Sequence, residues 1–593
     1  MRLYIYKSKS NTTLYMIKSF RNDKGKNTSK IIEKLGTLEE VQQKANGEDP
    51  IIWAKKYIEQ KTKEEKEGHG VYFDKLLEGE ELDKEQKIYN IGNIFIQKIF
   101  EELSLNKLCE KITKKYNFEY ELSDILEDLI CTRIMYPSSK LSSYDESKKF
   151  LRQPKYKLYD VYRALDIFVK EKEVIEKWCY EKSLDIIKER NTKVLYYDCT
   201  NYFFEIEMED EDDLKNNKNG LRKYGKSKEN RPLPIVEMGL FIDGNGYPLA
   251  FNLHSGNTNE QTTLRPLEKQ IMKDFNLSKF LVCTDAGLGS FSNRNFNNNS
   301  ERTYIVTQSL KQLEQKYQQE ALSNYGWHIL GDTKSINLDN IKKYDSKNKN
   351  IYYKEIVIER TKKDSKTKQK ITLKERMIVT FSPKYATYQK NIRDGQVARA
   401  KDIIANNPNK YNKLPQNNAK RFIQEEKITD EGECAEKSKL YFKSELEKYE
   451  EQFDGYYALC TPEQIEGNIE DILKISKGRW EIEESFRIMK SEFKARPVYL
   501  RLEDRIKSHF IICYLSLLIY RILEKEKLKD KFTTEEIIET LKDMLTNKIE
   551  GLGYKQLYQK SDITTALNNN YDFNLDQKFI SIKNIKKILN YKI

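Results

Sequence analysis

The residues best suited to chemistry lie in one stretch, Gly478-Arg479-Trp480-Glu481-Ile482-Glu483-Glu484-Ser485-Phe486-Arg487-Ile488-Met489-Lys490. A helix turns about 100° per residue, so Arg479, Glu483, Arg487 and Lys490 fall within an arc of roughly 80°, beside an apolar stripe of Ile475, Ile482, Phe486, Met489 and Phe493. One carboxylate then sits among three cations on a helix anchored by its other side. Such a set can hold a metal ion through the acid while the cations grip phosphates, which points toward nucleic-acid chemistry. Glu481 and Glu484 point about 160° and 100° away from Glu483, which makes Glu483 the better ligand. Similar pairs at i, i+4 also occur on plain surface helices, so other metal ligands must come from elsewhere in the chain.

Two upstream acids fit that need. The apolar run Val194-Leu195-Tyr196-Tyr197 closes on Asp198, and Phe280-Leu281-Val282-Cys283-Thr284 closes on Asp285. Between them the pattern predicts strands over Leu233–Ile242 and Tyr247–Leu253, joined by the hairpin turn Asp243-Gly244-Asn245-Gly246, then a helix from about Thr262 to Phe275. Three strands, a helix and a strand is the order of a ribonuclease-H-like core. In that core the first and fourth strands are neighbours, which would set Asp198 beside Asp285, and a later helix can deliver Glu483. Three such carboxylates can bind two Mg²⁺ ions, which activate a water or a 3′-hydroxyl and stabilise the leaving oxygen of a phosphodiester displacement. The remaining acids, including Asp243, Asp454 and the run Glu205 to Asp213, read as turns and solvated surface. Trp480, His254 and His509 read as packed structural residues.

These residues resemble the DDE transposases of bacterial insertion sequences, specifically the insertion-sequence-four-like group. Its signature around the last acid is Y-(2)-R-(3)-E-(6)-K; Arg479, Glu483 and Lys490 match the R, E and K, and Ser476 stands at the tyrosine position. Asp198-Cys199-Thr200-Asn201 is similar to the context of the first acid, Thr284-Asp285-Ala286-Gly287 to that of the second, and Ala495-Arg496-Pro497-Val498-Tyr499 to the segment after the signature. Lys223 to Leu240, with Gly225-Lys226-Ser227-Lys228 and Arg231, is also family-like. The similarity covers about 195–310 and 453–525 well and the N-terminal hairpin loosely. It implies Asp198, Asp285 and Glu483 as catalytic metal ligands, Arg479, Lys490 and Arg487 as phosphate contacts, and Mg²⁺, with Mn²⁺ able to substitute. It further implies nicking at transposon ends, release through DNA hairpins in some members, strand transfer into target DNA, and two protomers on paired ends. A β-rich domain inserted between the second and third acids is a feature of the group.

Size and composition are compatible with that reading. At 593 residues and 70.4 kDa the chain needs several folding units. The +12 formal charge, 105 basic residues against 93 acidic, allows a nucleic-acid partner, although Lys, Asn and Ile usage of the kind an AT-rich genome produces weakens that argument. Eight single cysteines with no C-x-x-C pair read as reduced thiols of a cytosolic, nucleoid-associated protein. Four unpaired histidines leave carboxylates as the expected metal ligands. The start of the chain reads as a strand rather than a signal peptide, and the longest apolar run, Phe510 to Tyr520, reads as a buried helix too short to span a bilayer, so no membrane partner is expected.

The expected fold class is α/β and multidomain, with a ribonuclease-H-like core interrupted by a β-rich insertion. Its segments are an N-terminal β-hairpin module at 1–60, a linker at 61–87, an all-helical, DNA-end-binding domain at 88–190, core at 191–310, the insertion at 311–452, core again at 453–545, and a polar, helical tail at 546–593. The expected function is cutting at terminal inverted repeats and transfer of the ends to target DNA, acting on double-stranded DNA as a homodimer. The rivals are a catalytically inactive, transposase-derived DNA-binding protein and a stand-alone metal-dependent DNA nuclease.

Overall fold

The computed structural model describes the chain except residues 9–10, 22–26, 69–86, 119, 213–214, 216–218, 333, 364–367, 415–417, 429–436, 466 and 590–593. The turn expected at 22–25 and most of the 61–87 linker lie outside the described residues; 61–68 end a helix. The chain forms two compact units, Met1–Gln86 and Lys87–Ile593.

In the first unit, β1 (Arg2–Lys7), β2 (Thr12–Arg21) and β3 (Asn27–Thr37) make an antiparallel sheet in the order β1-β2-β3, in which the strand expected at the start of the chain joins the expected hairpin. Two helices follow, α1 (Leu38–Lys44) and α2 (Pro50–Gly68). Thr37 caps α1 reciprocally: its side chain accepts from the Glu40 N–H while Glu40 accepts from the Thr37 N–H at 2.9 Å. Leu14, Met16 and Leu35 of the sheet and Val41, Ala54 and Ile58 of the helices form a small core.

The second unit opens with a short strand, β4 (Ile88–Asn90), and six helices: α3 (Asn93–Glu102), α4 (Leu105–Tyr116), α5 (Leu122–Met135), α6 (Lys140–Ser147), α7 (Leu158–Phe168) and α8 (Lys172–Ile186). The chain then enters a meander of β5 (Val194–Phe203), β6 (Ile235–Asp243) and β7 (Pro248–Ser255), crosses through α9 (Leu264–Asp274) to β8 (Phe280–Thr284), and continues through α10 (Phe291–Phe296) to β9 (Arg302–Gln308). β5 pairs antiparallel with β6 and parallel with β8, and β8 pairs parallel with β9. Every residue of β6 and β8 is buried, as in strands covered on both faces.

The segment expected as an insertion joins this sheet. After α11 (Gln315–Leu322) come β10 (Trp327–Ile329), β11 (Ser335–Ile336) and the long hairpin β12 (Tyr352–Lys363) and β13 (Lys370–Phe381). Next are α12 (Pro383–Asn406), the separate hairpin β14 (Ile423–Ile428) and β15 (Lys437–Phe442), α13 (Ser444–Glu451), and β16 (Tyr456–Pro462). β16 lies between β13 and β9, giving a ten-stranded sheet in the order β11-β10-β12-β13-β16-β9-β8-β5-β6-β7. Between β13 and β16, α12, the β14-β15 hairpin and α13 stand apart from this sheet, with a small core around Val397, Ala400, Ile403 and Phe422.

Helices follow: α14 (Ile469–Gly478), α15 (Trp480–Arg487) running on into a π-helical turn (Ile488–Glu492), α16 (Glu503–Ile522) and α17 (Thr534–Asp543). The helix Glu503–Lys527 is apolar and long enough to cross a membrane, but 94% of its apolar window is buried inside the protein. Tyr202 of β5 packs edge-on against Phe510 of α16 with ring centroids 4.8 Å apart. Residues 546–593, expected as a helical tail, carry strands as well: β17 (Leu545–Ile549), β18 (Gly553–Gln556) and β19 (Phe579–Ser581), with α18 (Asp562–Tyr571) and α19 (Ile582–Leu589). They form a sheet with β4 in the order β19-β18-β17-β4.

Candidate functional site

Strand register brings the first two acids level. Val194, Leu195 and Tyr196 pair with Leu281, Val282 and Cys283, and two residues further along each strand stand Asp198 and Asp285. Side chains alternate across a strand, so Leu195, Tyr197 and Cys199 face the core built with α9, while Tyr196, Asp198 and Thr200 share the other face. Asp285 caps the following 3₁₀ turn, accepting from the Leu288 N–H at 3.1 Å. Burial pushes the Asp198 carboxyl up to about 6; the Asp285 charge adds to the rise, while Lys228, the Cys199 N–H and Arg479 oppose it.

The signature helix lies along the same face of β5. Tyr196 donates to the Ile475 carbonyl at 2.9 Å, and Lys490 donates to the Thr200 hydroxyl, so the two contacts bracket Asp198. Gly478 permits the approach: a Cβ there would collide with the Tyr196 hydroxyl. Between these anchors Arg479 and Glu483 pair at 3.5 Å, with the Glu483 side chain 60% exposed.

The expectation of a single cationic face is corrected at Arg487. It forms ion pairs with Glu484 at 2.7 Å and Glu492 at 2.9 Å and reaches Thr534, whereas Lys490, one π-helical turn on, faces β5. The π-turn adds residues to the helical repeat, so positions in phase on an ideal α-helix diverge here. Glu481 is also accounted for, buried against Arg521 and Lys525. Trp480, expected in the core, is 56% exposed beside the site. Asp243 and Asp454, expected as turn and surface, are buried ion pairs with Arg190 at 2.6 Å and with Arg393.

Two further charged residues join the site. The loop Gly225-Lys226-Ser227-Lys228 lies over β5 and β6, where Lys228 donates to the Cys199 carbonyl and pairs with Glu260 at 3.3 Å. Glu237 of β6 is buried beside Asn201, Lys228 and Lys490; its Oε1 accepts from Asn201 at 3.4 Å and its Oε2 has no hydrogen-bond partner. Burial pushes Glu237 up to about 7, with Glu260 adding to it, and burial with the nearby Lys228 charge brings Lys490 down to about 8. Lys228, Glu237, Glu260 and Asp285 line a cleft of about 580 Å³ whose wall includes Asn257, Thr258 and Asn259. A lone acid within the apolar strand Ile235-Val236-Glu237-Met238 was a sequence signal for Glu237, and the basic Gly-Lys-Ser-Lys loop for Lys228. As the side chains stand, no group of three His, Cys, Asp or Glu among the described residues is close enough to hold a metal ion.

A paired-aspartate sheet edge flanked by an Arg-Glu-Lys helix defines a candidate active site, and its class follows from the sequence family. Residues 210–519 match the family described as "Transposase DDE domain", and the chain belongs to that family. Asp285 and Glu483 fall within the matched span, and Asp198 just before it. Among solved structures, the piggyBac transposase synaptic complex with hairpin DNA is similar at 8% identity over 84% of each chain, with a TM-score of 0.33. The Mos1 transposase paired-end complex with left transposon end is similar at 11% identity over 40% of this chain and 63% of the other, with a TM-score of 0.13. No curated protein matches.

Proposed function

We propose that this chain is an insertion-sequence transposase of the insertion-sequence-four-like group. In this reading it acts in the cytoplasm, at the nucleoid, as a homodimer on double-stranded DNA, cutting at the element's terminal inverted repeats and transferring the ends to target DNA. The observation that carries the reading is the level placement of Asp198 and Asp285 on paired parallel strands, with Arg479, Glu483 and Lys490 held against the same strand. The order β7-β6-β5-β8-β9, with β6 alone antiparallel to both its neighbours, supports a ribonuclease-H-like core.

The donor set fits a hard divalent cation. Asp198, Asp285 and Glu483 offer only oxygen, which suits Mg²⁺ or Mn²⁺, and the mutual repulsion that helps to raise Asp198 is what a cation would relieve. Two such ions, when bound, would supply Lewis-acid activation of the attacking oxygen and stabilisation of the leaving one. The chain's own residues do the rest. Glu483 is tied to Arg479 by a single exposed pair, a weak interaction that a competing cation and phosphate can exchange. Arg479 then contributes a fork of donors for a phosphate, Lys228 holds positive charge in the cleft, and Lys490 holds it on β5 near Glu237.

The test is purified protein, Mg²⁺ and a duplex carrying the inverted repeats that flank the gene. Cutting followed by joining to a target duplex is expected, and Asp285→Asn should abolish both. Cutting without joining would favour a nuclease, and unimpaired cutting by Asp285→Asn would refute the metal-ligand assignment.

A further inference from the structure

Past Lys490 the chain leaves the signature helix through a strained turn. The Phe493 N–H donates to the Ile488 carbonyl and the Ala495 N–H to the Met489 carbonyl, both at 2.9 Å, while Lys494 between them is left-handed at φ 42°. A lysine keeps that conformation only where its surroundings hold it. The last carbonyls of a helix have no donor within it, and here buried side chains of two other helices supply the donors. Arg133 of α5 donates through Nη1 to the Phe493 carbonyl at 3.1 Å and the Lys494 carbonyl at 3.4 Å, and through Nη2 to the Ser138 carbonyl at 2.9 Å. His509 of α16 donates through Nε2 to the Ala495 carbonyl at 3.1 Å. Three successive carbonyls are thus gripped from outside their own segment.

The grip is electrostatically unusual. Arg133, His509 and Lys140, the first residue of α6, are all buried, and the Lys140 Nζ has no hydrogen-bond partner. Among the described residues, the charges that act most on these three are one another and the Cys513 thiol rather than a carboxylate. Burial, with the Arg133 charge beside them, pushes Lys140 and His509 well below their ordinary values, so Arg133 is the cation the cluster keeps. A buried guanidinium with no carboxylate is costly to desolvate. What it gives is geometric: its planar fork ties the turn at Lys494 to the α5–α6 connection at Ser138, in directions that a flexible ammonium does not fix.

The gripped segment delivers side chains to β5. Lys490, three residues before Phe493, donates to the Thr200 hydroxyl, and Arg496 lies over the Phe203 ring at 5.6 Å, a ring that Arg231 also covers at 4.2 Å. Phe493 itself packs edge-on against Tyr520 of α16, with ring centroids 5.9 Å apart. We propose that Arg133 is a positioning residue for the reaction, with His509 in support. By fixing the backbone just past the π-helical turn, it sets where Lys490 stands against β5 and Asp198. The role in the reaction rests on the transposase reading, while the grip is assigned from its hydrogen bonds.

The experiment uses the full chain, Mg²⁺ and the duplex carrying the flanking inverted repeats. Arg133→Met should lower kcat for cutting about tenfold or more per folded molecule, with KM for the duplex changed less than about threefold, and Arg133→Lys should recover part of the loss. In the double variant with Lys490→Met the two losses should not multiply, because Arg133 acts through Lys490. Lys140→Met removes the neighbouring buried cation without touching the grip and should cut as the wild type does. Hydrogen exchange of the Phe493 and Ala495 N–H groups, followed without DNA or metal, should quicken about tenfold in Arg133→Met and stay at the wild-type rate in Lys140→Met. Thermal unfolding gives the folded fraction; where Arg133→Met does not fold, Arg133→Lys and His509→Leu are read in the same way. A kcat within about twofold of wild type in folded Arg133→Met would overturn the proposal, as would an equal loss in Lys140→Met. Losses that multiply in the double variant would also overturn it, since a purely structural role acts independently of Lys490. If the wild type itself fails to cut, the transposase reading falls, whereas unchanged exchange in Arg133→Met refutes the grip whether or not the protein cuts.

Discussion

Two sets of carboxylates in the ten-stranded sheet have opposite surroundings. Glu375 on β13 is fully buried, held by Arg294 at 2.6 Å, Arg360 at 2.5 Å and the Tyr304 hydroxyl at 2.6 Å. Burial works to raise its pKa, but the Arg294 and Arg360 charges and the tyrosine overcome it, leaving the carboxyl below its ordinary value. Asp198, four strands away, shares its surroundings with Asp285, and burial leaves it raised to about 6. Both acids are desolvated; what differs is how many cations the fold supplies. Where the fold neutralises the charge, the acid is structural, and where it leaves repulsion the site calls for positive charge from outside.

That contrast is broken most directly at the paired aspartates. Asp198→Asn and Asp285→Asn should each reduce Mg²⁺-dependent cutting at least about a hundredfold, the scale of removing one preorganised electrostatic stabiliser. Neither should lower the thermal unfolding midpoint, because each removes a repulsion. A large loss of stability in Asp198→Asn would mean that this pair, like Glu375, serves the fold.

Glu375→Gln should behave in the opposite way. It leaves the buried Arg294 without a charged partner, so a loss of about 3–5 kcal/mol is expected in denaturant unfolding. Cutting per folded molecule should be unchanged. If instead stability held and cutting fell, the Glu375 cluster would belong to the active site.

How far this contrast could be read from sequence depends on distance along the chain. Asp198 and Asp285 were legible because central strands buried on both faces appear as continuous apolar runs followed by an acid; Asp285 does follow the end of β8, whereas β5, expected to close on Asp198, runs on through it to Phe203. The partners of Glu375 were not: Arg294, Tyr304 and Arg360 come from separate elements, and only the pairing of β13 with β16 and of β16 with β9 brings them together. The same long-range pairing draws β10 to β13 into the central sheet, although local pattern set them apart as an insertion. In the last 50 residues the strands are three to five residues long, too short for alternation to register, and β17 is completed by β4 from the other end of the unit. Lys228 was marked only as part of a family-like segment and Glu237 was given no role, because a loop and a mid-strand acid reveal nothing of each other until β5 and β6 are paired.

The next test concerns how the signature helix is seated. Gly478→Ala would put a methyl group against the Tyr196 hydroxyl and push the helix off β5, so cutting should fall about tenfold, equivalent to about 1.4 kcal/mol, with overall stability less affected. Tyr196→Phe in the same chain removes the nearest clashing atom and should recover part of the loss. Failure of the double variant to recover any activity would indicate that Gly478 matters for its backbone and not for the close approach.

The smallest effect is expected at Arg487, and it tests the cations as the aspartates test the acids. Its guanidinium is already engaged by Glu484 and Glu492 on the outside of the helix, a half-exposed arrangement worth no more than about 1 kcal/mol. Lys490, seven residues from Glu483, is instead half-buried against β5, bonded to Thr200, and draws on Glu237 and Asp198. Arg487→Ala should therefore change cutting less than about threefold, the equivalent of a fraction of a kcal/mol, whereas Lys490→Met should cost more in the same assay, because it removes a charge that faces the acids. Equal losses in the two variants would mean that DNA binding turns Arg487 away from its glutamates, and the division between partnered and unpartnered charge would then have to be drawn in the DNA complex.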